Sequence, residues 1–267
     1  MTPIEDPTRE MELMEENLHA HVAYVQRHLP SMHVLDHDEL LLVDSGLPTD
    51  TFNKIARVRL SAASAEQKIR VAIQCFKDAG RPFTAWVGPC SRPLDLEARL
   101  QRCGLMESES EVGMIAAPAA LTAAIRHVAL VIRRVKTPEQ LNDFAAVNAA
   151  NWDPPDTNVI EFFRRAAPLL LADNCPMRLF VGYAEGQAVA SSELFMSKDV
   201  AGIHMVSTRR EFQRRGYGLA MTWTAADEGR RMGAKLISLQ ASDQGLPVYE
   251  RLGFVPLCRF VEYQLPS

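Results

Sequence analysis

Residues 213–220 combine glycine and arginine in an order suited to holding a phosphate. The segment Gln213-Arg214-Arg215-Gly216-Tyr217-Gly218-Leu219-Ala220 follows an apolar run and opens a pattern that predicts a helix to about Met232. The amides of a helix's first turn are unpaired, and the helix dipole favours an anion beside them. Gly216 and Gly218 have no Cβ to block such a ligand. With Arg209 and Arg210 nearby, the segment predicts a site for a diphosphate-bearing ligand, the alternative being a solvated arginine-rich turn.

Two common nucleotide-binding patterns do not fit this segment. A dinucleotide fingerprint would continue to a third glycine or alanine, where Met221 stands instead. An ATP-binding loop would place Lys-Ser or Lys-Thr after its last glycine, where this chain has Leu219-Ala220. The ligand is therefore expected to be a diphosphate of another kind.

Two motifs in the second half of the chain resemble those of the GNAT N-acetyltransferase superfamily. Gln213-x-x-Gly216-x-Gly218-Leu219-Ala220 looks like that family's acetyl-CoA pyrophosphate loop. The later segment, Leu239-Gln240-Ala241-Ser242 through Tyr249 to Gly253-Phe254, is similar to its last conserved block. The motifs occur in the family's order, and the resemblance covers about residues 129–267. It implies the GNAT fold, an α/β architecture with a mixed sheet, and acetyl-CoA as co-substrate.

The resemblance also implies roles for individual residues. Val206, Ser207 and Thr208 would end the strand whose main chain pairs with the pantetheine arm. The pyrophosphate would lie against a loop formed by Arg214, Arg215, Gly216, Tyr217, Gly218, Leu219 and Ala220. Ser242 stands where many members have an asparagine that touches the cofactor. Tyr249 occupies the position of the family's general acid.

The chemistry of acetyl transfer agrees with the position of Tyr249. A phenol near the sulfur can protonate the departing CoA thiolate, although a packed aromatic residue is the alternative interpretation. The attacking amine must also lose a proton, and Glu193 and His204 are candidate bases on neighbouring predicted strands. Either could instead be a sheet-surface residue, with a water chain accepting the proton.

Apolar patterns and turn signals order the second half as β-α-α-β-β-β-α-β-α-β. Thr137-Pro138-Glu139-Gln140 is a capping-box signature that predicts a helix to about Ala149. A second helix is expected from Asn158 to about Leu171, shortened or kinked by Pro168. Strands are expected at 178–184, 187–196, 201–208, 234–240 and 254–265, with a short helix at 246–252.

Length and charge divide the chain into two parts. The 267 residues suggest two domains; residues 1–127 hold 13 basic and 18 acidic residues (13 − 18 = −5), and residues 128–267 hold 16 and 15 (+1). Gly80 and Gly104-Leu105 align with Gly233 and Gly253-Phe254, but Ala63 replaces the loop glycine and Leu100 replaces Tyr249. We therefore expect a degenerate GNAT-like domain at 1–127 and a catalytic domain at 128–267, the alternative for the first being an unrelated α/β domain. Residues 9–29 predict a core-facing helix.

Composition narrows the partners and the compartment. A net charge of −4 argues against a nucleic-acid partner, and the apolar stretch 166–172 is far too short to span a membrane. Five scattered cysteines without C-x-x-C spacing fit a reducing cytoplasm and no structural zinc. The acidic start of the chain does not resemble a secretory signal. Five histidines fall between His19 and His37, but their spacing favours solvent-facing side chains over a metal site.

The expected function is transfer of an acetyl group to a primary amine of a small molecule or peptide, by direct attack in a ternary complex. A non-catalytic CoA sensor or scaffold is the alternative, and either a monomer or a homodimer would serve. Trp152, Asp153 and Asp156 fall in the loop that borders the acceptor site in the family. An acidic, aromatic rim suits a cationic amine, although these residues could simply cap a helix.

Overall fold

A computed structural model describes residues 7–122 and 128–266 of the chain. The predicted domain boundary at 127/128 adjoins the undescribed stretch. Residues 1–6, which carry most of the argument against a secretory signal, lie outside the described residues.

The described chain contains both helices and strands. In chain order they are α1 (Pro7–His28), β1 (His33–His37), β2 (Leu40–Asp44), β3 (Lys54–Ala56), α2 (Ala65–Asp78), β4 (Thr84–Val87), α3 (Leu96–Arg102), β5 (Met106–Ala116), β6 (Val131–Arg134), α4 (Pro138–Ala149), α5 (Thr157–Leu170), β7 (Met177–Ala184), β8 (Gln187–Ser197), β9 (Val200–Thr208), α6 (Tyr217–Arg231), β10 (Leu236–Ala241), α7 (Leu246–Glu250) and β11 (Val255–Gln264).

The described residues form two compact units. The C-terminal unit is Gly113–Leu257, and the N-terminal unit consists of the described residues of Asp6–Val112 and Cys258–Ser267. In the C-terminal unit the strand order is β5-β10-β9-β8-β7-β6. Strands β6 to β9 pair antiparallel, and β9 pairs parallel with β10. This mixed sheet with helices on its faces is the α/β architecture expected from the sequence.

Adjacent serines on β8 identify the two faces of this sheet. The Ser191 hydroxyl contacts Asn148 of α4, whereas the Ser192 hydroxyl donates to the carbonyl of Met221 on α6. Because successive side chains of a strand point to opposite faces, α4 and α6 cover opposite faces of the sheet. Both serines are fully buried.

Local signals set the ends of the two helices that precede β7. Thr137 caps α4 by accepting from the amide of Gln140 at 3.3 Å, and the Gln140 side chain accepts from the amide of Lys136 at 2.8 Å. Helix α5 begins one residue earlier than predicted because Asp156 is its cap. Pro168 lies within α5, which ends two residues later at Leu170. The capping box thus gave α4 its correct bounds.

The N-terminal unit has the strand order β1-β2-β3-β4-β11-β5. Its core joins α2 and α3 to one face of this sheet and includes Ile69, Leu100, Val261 and the fully buried Tyr263. Helix α1, at Pro7–His28, agrees with the predicted core-facing helix: it buries Ala23 against Leu41, Val43 and Ala56.

Strand pairing makes the compact units differ from the predicted ranges of 1–127 and 128–267. The end of β11 pairs antiparallel with β4, Val261 opposite Val87, and so belongs to the N-terminal unit. The last residues of β5, Gly113–Ala116, belong to the C-terminal unit. Each unit therefore contains the end of a strand that the other half of the sequence supplies.

The two units share a backbone irregularity. In the C-terminal unit the β9–β10 pairing ends at Ile203, and Met205, two residues later, has a φ of +49°. In the N-terminal unit the β3–β4 pairing ends at Ile55, and Arg57, again two residues later, has a φ of +46°. Such angles are uncommon for residues other than glycine. The same irregularity thus follows a parallel strand pair in each unit.

Candidate functional site

A bulge in β9 opens the sheet of the C-terminal unit. Between the paired positions Ser191–Ser207 and Glu193–His204, β9 has one residue more than β8. The extra residue bends β9, and Met205 takes its positive φ there. The pairing with β10 stops at Ile203–Leu239, although β9 continues to Thr208 and β10 to Ala241. Among the described residues, the β10-facing side of residues 205–208, here called the β9 edge, therefore has no ladder partner.

A cleft of about 1230 Å³ lies beside this opening. It is lined by the end of β9, the loop before α6, the first turn of α6 and the segment around α7. The lining residues are Val128, Val206, Thr208, Gln213, Arg214, Arg215, Gly216, Tyr217, Gly218, Leu219, Ser242, Gln244, Gly245, Val248, Tyr249 and Arg251. The cleft therefore brings together nine of the residues that the sequence assigned to cofactor binding, together with Tyr249.

The start of α6 has the geometry of an anion site. Arg214 and Gly216 have φ angles of +61° and +83°, and within residues 7–122 and 128–266 no side chain caps the helix. Left-handed residues that alternate with right-handed ones turn successive amides toward a common point. The amides of the first helical turn add to this group, and the helix dipole favours a negative charge beside them. The Arg215 guanidinium lies 4.9 Å from the Phe212 ring and contributes positive charge.

The two loop glycines serve different purposes. Gly216 needs its left-handed φ of +83°, and a Cβ there would lie 3.2 Å from Cγ1 of Val128. At Gly218 the nearest atom to an added Cβ is the Thr208 hydroxyl at 4.0 Å. A side chain at Gly218 would therefore meet open space between the helix and the end of β9, where a ligand could lie against the main chain.

Tyr249 faces the same cleft from α7. It is 9% exposed, and its ring packs edge-on against Phe254 with 6.2 Å between centroids. A Cβ at Gly245 would lie 2.7 Å from Cε2 of Tyr249. Gly245 thus lets the ring lie against the main chain one turn earlier, which fixes the direction of the phenol.

Glu193 and His204 face each other directly across the β8–β9 ladder. Glu193 is 2% exposed, and it shares the α4 face of the sheet with Ser191, two residues before it. Paired residues of neighbouring strands project from the same face, so both candidate bases lie on the α4 side. Neither is among the residues that line the cleft.

Two residues assigned to cofactor binding lie outside the cleft lining. The Ser207 hydroxyl donates to Oδ1 of Asn151 at 2.7 Å, so its side chain turns toward the end of α4. Ala220 is buried in α6. Ser207 can therefore offer a cofactor its main chain, whereas Ala220 supports the helix.

Sequence reasoning missed several lining residues. Gln244 and Val248 lie within the motif quoted around Tyr249, and Arg251 follows Tyr249 by two positions. The Arg251 side chain also donates to the carbonyl of Pro247 at 3.1 Å. Their closeness to Tyr249 in the sequence was the signal that could have found them, because residues in and beside α7 border the same cleft as Tyr249.

The loop after α4 is only partly explained by helix capping. Asp156 is the N-cap of α5 and accepts from the amide of Asn158 at 2.8 Å. Trp152 is 41% exposed. Of the residues expected at an acceptor rim, Asp156 thus has a clear local role, and Trp152 presents an aromatic surface to solvent.

The histidine-rich region differs from its prediction in one respect. His19 is 6% exposed rather than solvent-facing, and its Nε2 accepts from the amide of Arg57 at 3.3 Å. Burial, together with the charges of Arg57 and Arg59, lowers the pKa of His19 to about 3. The described residues contain no group of three or more His, Cys, Asp or Glu placed to hold a metal ion. None of their helices is long and apolar enough to cross a membrane.

Comparisons with known proteins agree with this geometry. The family model described as the Acetyltransferase (GNAT) family matches residues 144–254. A GCN5-related N-acetyltransferase from Kribbella flavida has a TM-score of 0.71 at 17% identity, over 94% of this chain and 96% of that one. A tandem GNAT protein from the clavulanic acid biosynthesis pathway has a TM-score of 0.60 at 14% identity, over 100% and 97% of the two chains. No curated protein matches the chain.

The family model thus identifies a GNAT domain at residues 144–254, all of which lie in the C-terminal unit. The chain as a whole has the fold of GNAT proteins, a tandem GNAT protein among them.

Proposed function

We propose that the protein is an N-acetyltransferase that moves an acetyl group from acetyl-CoA to a primary amine of a small molecule or peptide. The observation that carries this proposal is one cleft that combines the β9 edge, an uncapped helix start and a buried phenol. These are the parts needed to hold an extended amide chain, to bind a diphosphate and to protonate a leaving thiolate.

The residues of the cleft suit the successive parts of an acyl-CoA molecule. The main chain of Val206, Ser207 and Thr208 would pair with the pantetheine amides, since this side of β9 has no ladder partner in the described residues. The loop from Arg214 to Leu219 would hold the pyrophosphate. Ser242 would contact the pantetheine arm from the other side of the cleft.

Tyr249 would act as the general acid. It would donate its phenolic proton to the thiolate sulfur that leaves when the amine nitrogen bonds to the thioester carbon and the C–S bond breaks. The ammonium form of the amine would first lose one proton to Glu193 or His204, directly or through water. The nitrogen would lose a second proton when the amide forms, and this proton balances the one that Tyr249 gives to the sulfur. A ternary complex follows because none of these residues needs to form a covalent intermediate.

The N-terminal unit would be a degenerate copy that does not bind acyl-CoA in this way. After Arg57, the chain of the N-terminal unit itself occupies the position that corresponds to the opening. Arg59 forms a parallel β-bridge with Arg92, and the amide of Leu60 donates to the Arg92 carbonyl at 3.1 Å. Calorimetric titration should therefore give one acetyl-CoA per chain; two equivalent sites would refute this view.

The acceptor is proposed to be a cationic amine, because the rim near Trp152 carries Asp153 and Asp156. A cytoplasmic protein, as a monomer or homodimer and without a nucleic-acid partner, is consistent with the acidic composition and with five free cysteines.

The test is thiol release from acetyl-CoA with a panel of amines: polyamines, amino sugars and peptide N-termini. The proposal expects release that depends on the amine and yields the acetylated product by mass spectrometry. Tight acetyl-CoA binding without release on any acceptor would instead support a CoA sensor or scaffold.

A further inference from the structure

A buried hydrogen-bond network joins the end of α4 to the bulge of β9. The Ser191 hydroxyl donates to the carbonyl oxygen of Met205 at 3.0 Å, and Oδ1 of Asn148 lies 3.4 Å from the same hydroxyl. Nδ2 of Asn148 donates to the carbonyl of Phe144 at 2.8 Å, which holds the amide in place. Ser191 is 0% exposed and Asn148 is 1% exposed. The network therefore reaches the bulge from inside the protein.

A second contact reaches the β9 edge two residues further along. The Ser207 hydroxyl donates to Oδ1 of Asn151 at 2.7 Å. Asn151 follows the C-cap of α4, and its amide donates to the carbonyl of Asn148 at 3.1 Å. The bulge is thus held at two points: Ser191 of β8 bonds to the Met205 carbonyl, and Asn151, just after α4, accepts from the Ser207 hydroxyl.

The bulge needs such support. Met205 has a φ of +49°, a conformation that residues other than glycine keep only where the surroundings enforce it. On the β10 side the ladder has already ended at Ile203, so pairing there cannot hold residues 205–208. The hydrogen bonds of Ser191 and Asn151 come from the opposite direction. They engage the Met205 carbonyl and the Ser207 side chain, and neither uses the main-chain groups of Val206 and Ser207.

We infer that Ser191 and Asn151 are positioning residues for acyl-CoA: they fix the β9 edge in the geometry that pairs with the pantetheine arm, without touching the cofactor. This inference rests on the proposed function for its purpose, but the rigidity of the edge can be measured without any ligand. Both residues act through another group, Ser191 through the Met205 carbonyl and Asn151 through the Ser207 hydroxyl.

The first experiment measures hydrogen–deuterium exchange of residues 205–208 in the ligand-free protein. Ser191→Ala is compared with Ser192→Ala, which removes an equally buried hydroxyl that donates to Met221 on the other face of the same strand. Both variants lose one buried hydrogen bond, so their overall stability should fall alike. Only Ser191→Ala should accelerate exchange in the β9 edge; equal exchange in the two variants would refute the inference.

The second experiment separates Asn151 from a general packing role. Asn151→Ala loses the acceptor for the Ser207 hydroxyl, whereas Asn151→Asp keeps an oxygen in its place. Exchange in the β9 edge should rise in the alanine variant and return to the wild-type rate in the aspartate variant. Fast exchange in both, or in neither, would contradict the assignment of Asn151.

The third experiment is calorimetric titration with acetyl-CoA. Ser191→Ala and Asn151→Ala should weaken acetyl-CoA affinity by about 5- to 20-fold, because each loses one hydrogen bond that holds the β9 edge in its binding geometry. Ser192→Ala should weaken the affinity by less than about 2-fold. At saturating acetyl-CoA, kcat should stay near wild type while KM rises. Wild-type protein that does not bind acetyl-CoA would refute the proposed function, whereas loosened edges with unchanged affinity would refute the positioning role.

Discussion

At the scale of single residues, Tyr249 shows how a small neighbour can direct a reactive side chain. Helix α7 has only five residues, Leu246–Glu250, and cannot orient a side chain by length alone. The ring is instead held between the main chain at Gly245 and the Phe254 ring. An added methyl group at Gly245 would occupy the space of the tyrosine ring. The phenol therefore depends on a glycine that performs no chemistry itself.

Replacement of Tyr249 by phenylalanine tests the role of its hydroxyl. The ring and its packing remain, so the fold and the affinity for acetyl-CoA should change less than about 2-fold. The general acid is lost, and kcat should fall by about 10²- to 10⁴-fold. Steady-state kinetics beside calorimetric titration would measure both quantities. A wild-type kcat in this variant would rule out the assignment.

Residue type and spacing predicted the cleft better than they predicted the contacts of buried polar side chains. The type and spacing of residues 213–220 and of Tyr249 were sufficient to anticipate a cleft that the structure does contain. By contrast, nothing in the sequence around His19 shows that it is buried and bonded to the amide of Arg57. Nor does the sequence show that Asn148 contacts Ser191 of β8 and that Asn151 contacts Ser207 of β9. Those contacts join residues dozens of positions apart, which local patterns do not encode.

At the scale of elements, the junction between the loop and α6 combines a strained backbone with an open helix start. Gly216 lies at the N-cap with a φ of +83°, and no side chain in the described part of the chain caps the first amides of the helix. A larger residue would have to adopt the left-handed conformation beside Val128. The same glycine thus serves folding and the anion site together.

Gly216→Ala and Gly186→Ala separate these two contributions. Gly186 lies in the hairpin turn between β7 and β8 with a φ of +78°, and an added Cβ meets no atom within 4 Å. Each variant should lose roughly 1–2 kcal/mol of unfolding free energy from left-handed strain. Only Gly216→Ala should weaken acetyl-CoA binding, which calorimetry would detect. Equal affinity in the two variants would contradict a phosphate-binding role for the loop.

Strand β5 carries an acidic cluster in the N-terminal unit. Burial, together with the nearby carboxylates of Glu262 and Glu109, raises the pKa of Glu111 to about 7, although the charge of Lys54 opposes this shift. Lys54 is itself engaged: Nζ donates to the Thr84 hydroxyl at 2.7 Å and lies 4.7 Å from the Trp86 ring. One ammonium group thus faces three carboxyl groups.

Glu111→Gln should change how stability depends on pH. A carboxyl group whose pKa is about 7 when folded and 4.5 when unfolded binds more protons in the folded state between those values. The stability that this group contributes to the folded state is therefore fully present below about pH 4.5 and is lost as the pH rises through 7. At pH 8 the unfolding free energy of the glutamine variant should exceed that of wild type by about 1–3 kcal/mol, a range that allows for the partial exposure of Glu111. The difference should be smaller at pH 5.

Urea unfolding at pH 5 and pH 8 would measure this effect. Glu109→Gln is a matched control, because Glu109 is more exposed and its pKa is raised by the same causes. The control should show the same sign with a smaller change. Parallel pH profiles of wild type and Glu111→Gln would contradict the placement of Glu111 in a buried acidic cluster.

The elements of the second half were largely predictable, because their signals are local. The capping box defined α4, and alternating apolar residues located β7, β8 and β9 to within one residue. The bulge in β9 was not predictable: its extra residue, Met205, resembles any other strand residue, and only the register with β8 reveals it. The opening of the sheet, on which the site depends, thus comes from pairing and not from local sequence.

At the scale of the whole molecule, chain order and strand pairing define different units. The sequence divides near residue 128 by charge and motif, but Val261 and Tyr263 belong to the core of the N-terminal unit. Conversely, Met114, Ile115 and Ala116 are buried strand residues that belong to the C-terminal unit. No charge count or motif could predict these unit boundaries, because they depend on pairing between strands more than a hundred residues apart, such as β11 and β4.

This exchange of strand ends makes a prediction about fragments. A fragment of residues 128–267 lacks β5, the neighbour of β10 in the C-terminal unit, whereas a fragment of residues 106–267 retains it. The shorter fragment would leave one side of β10 as an unpaired edge and would lose three buried apolar residues. We expect it to aggregate or to unfold without cooperativity, and we expect the longer fragment to stay soluble with a cooperative urea transition.

Fragment 1–127 gives the reciprocal test. Without β11 it loses Val261 and the fully buried Tyr263, whose hydroxyl donates to Oε2 of Glu97 at 2.9 Å. Co-expression with 128–267 should restore a stable complex, because each fragment brings the strand that the other lacks. Circular dichroism, urea unfolding and acetyl-CoA titration of the fragments and the complex would measure the outcome. Cooperative folding of 1–127 or 128–267 alone would show that the exchanged strand ends are dispensable, and a domain division at residue 128 would then describe the molecule better than the strand pairing does.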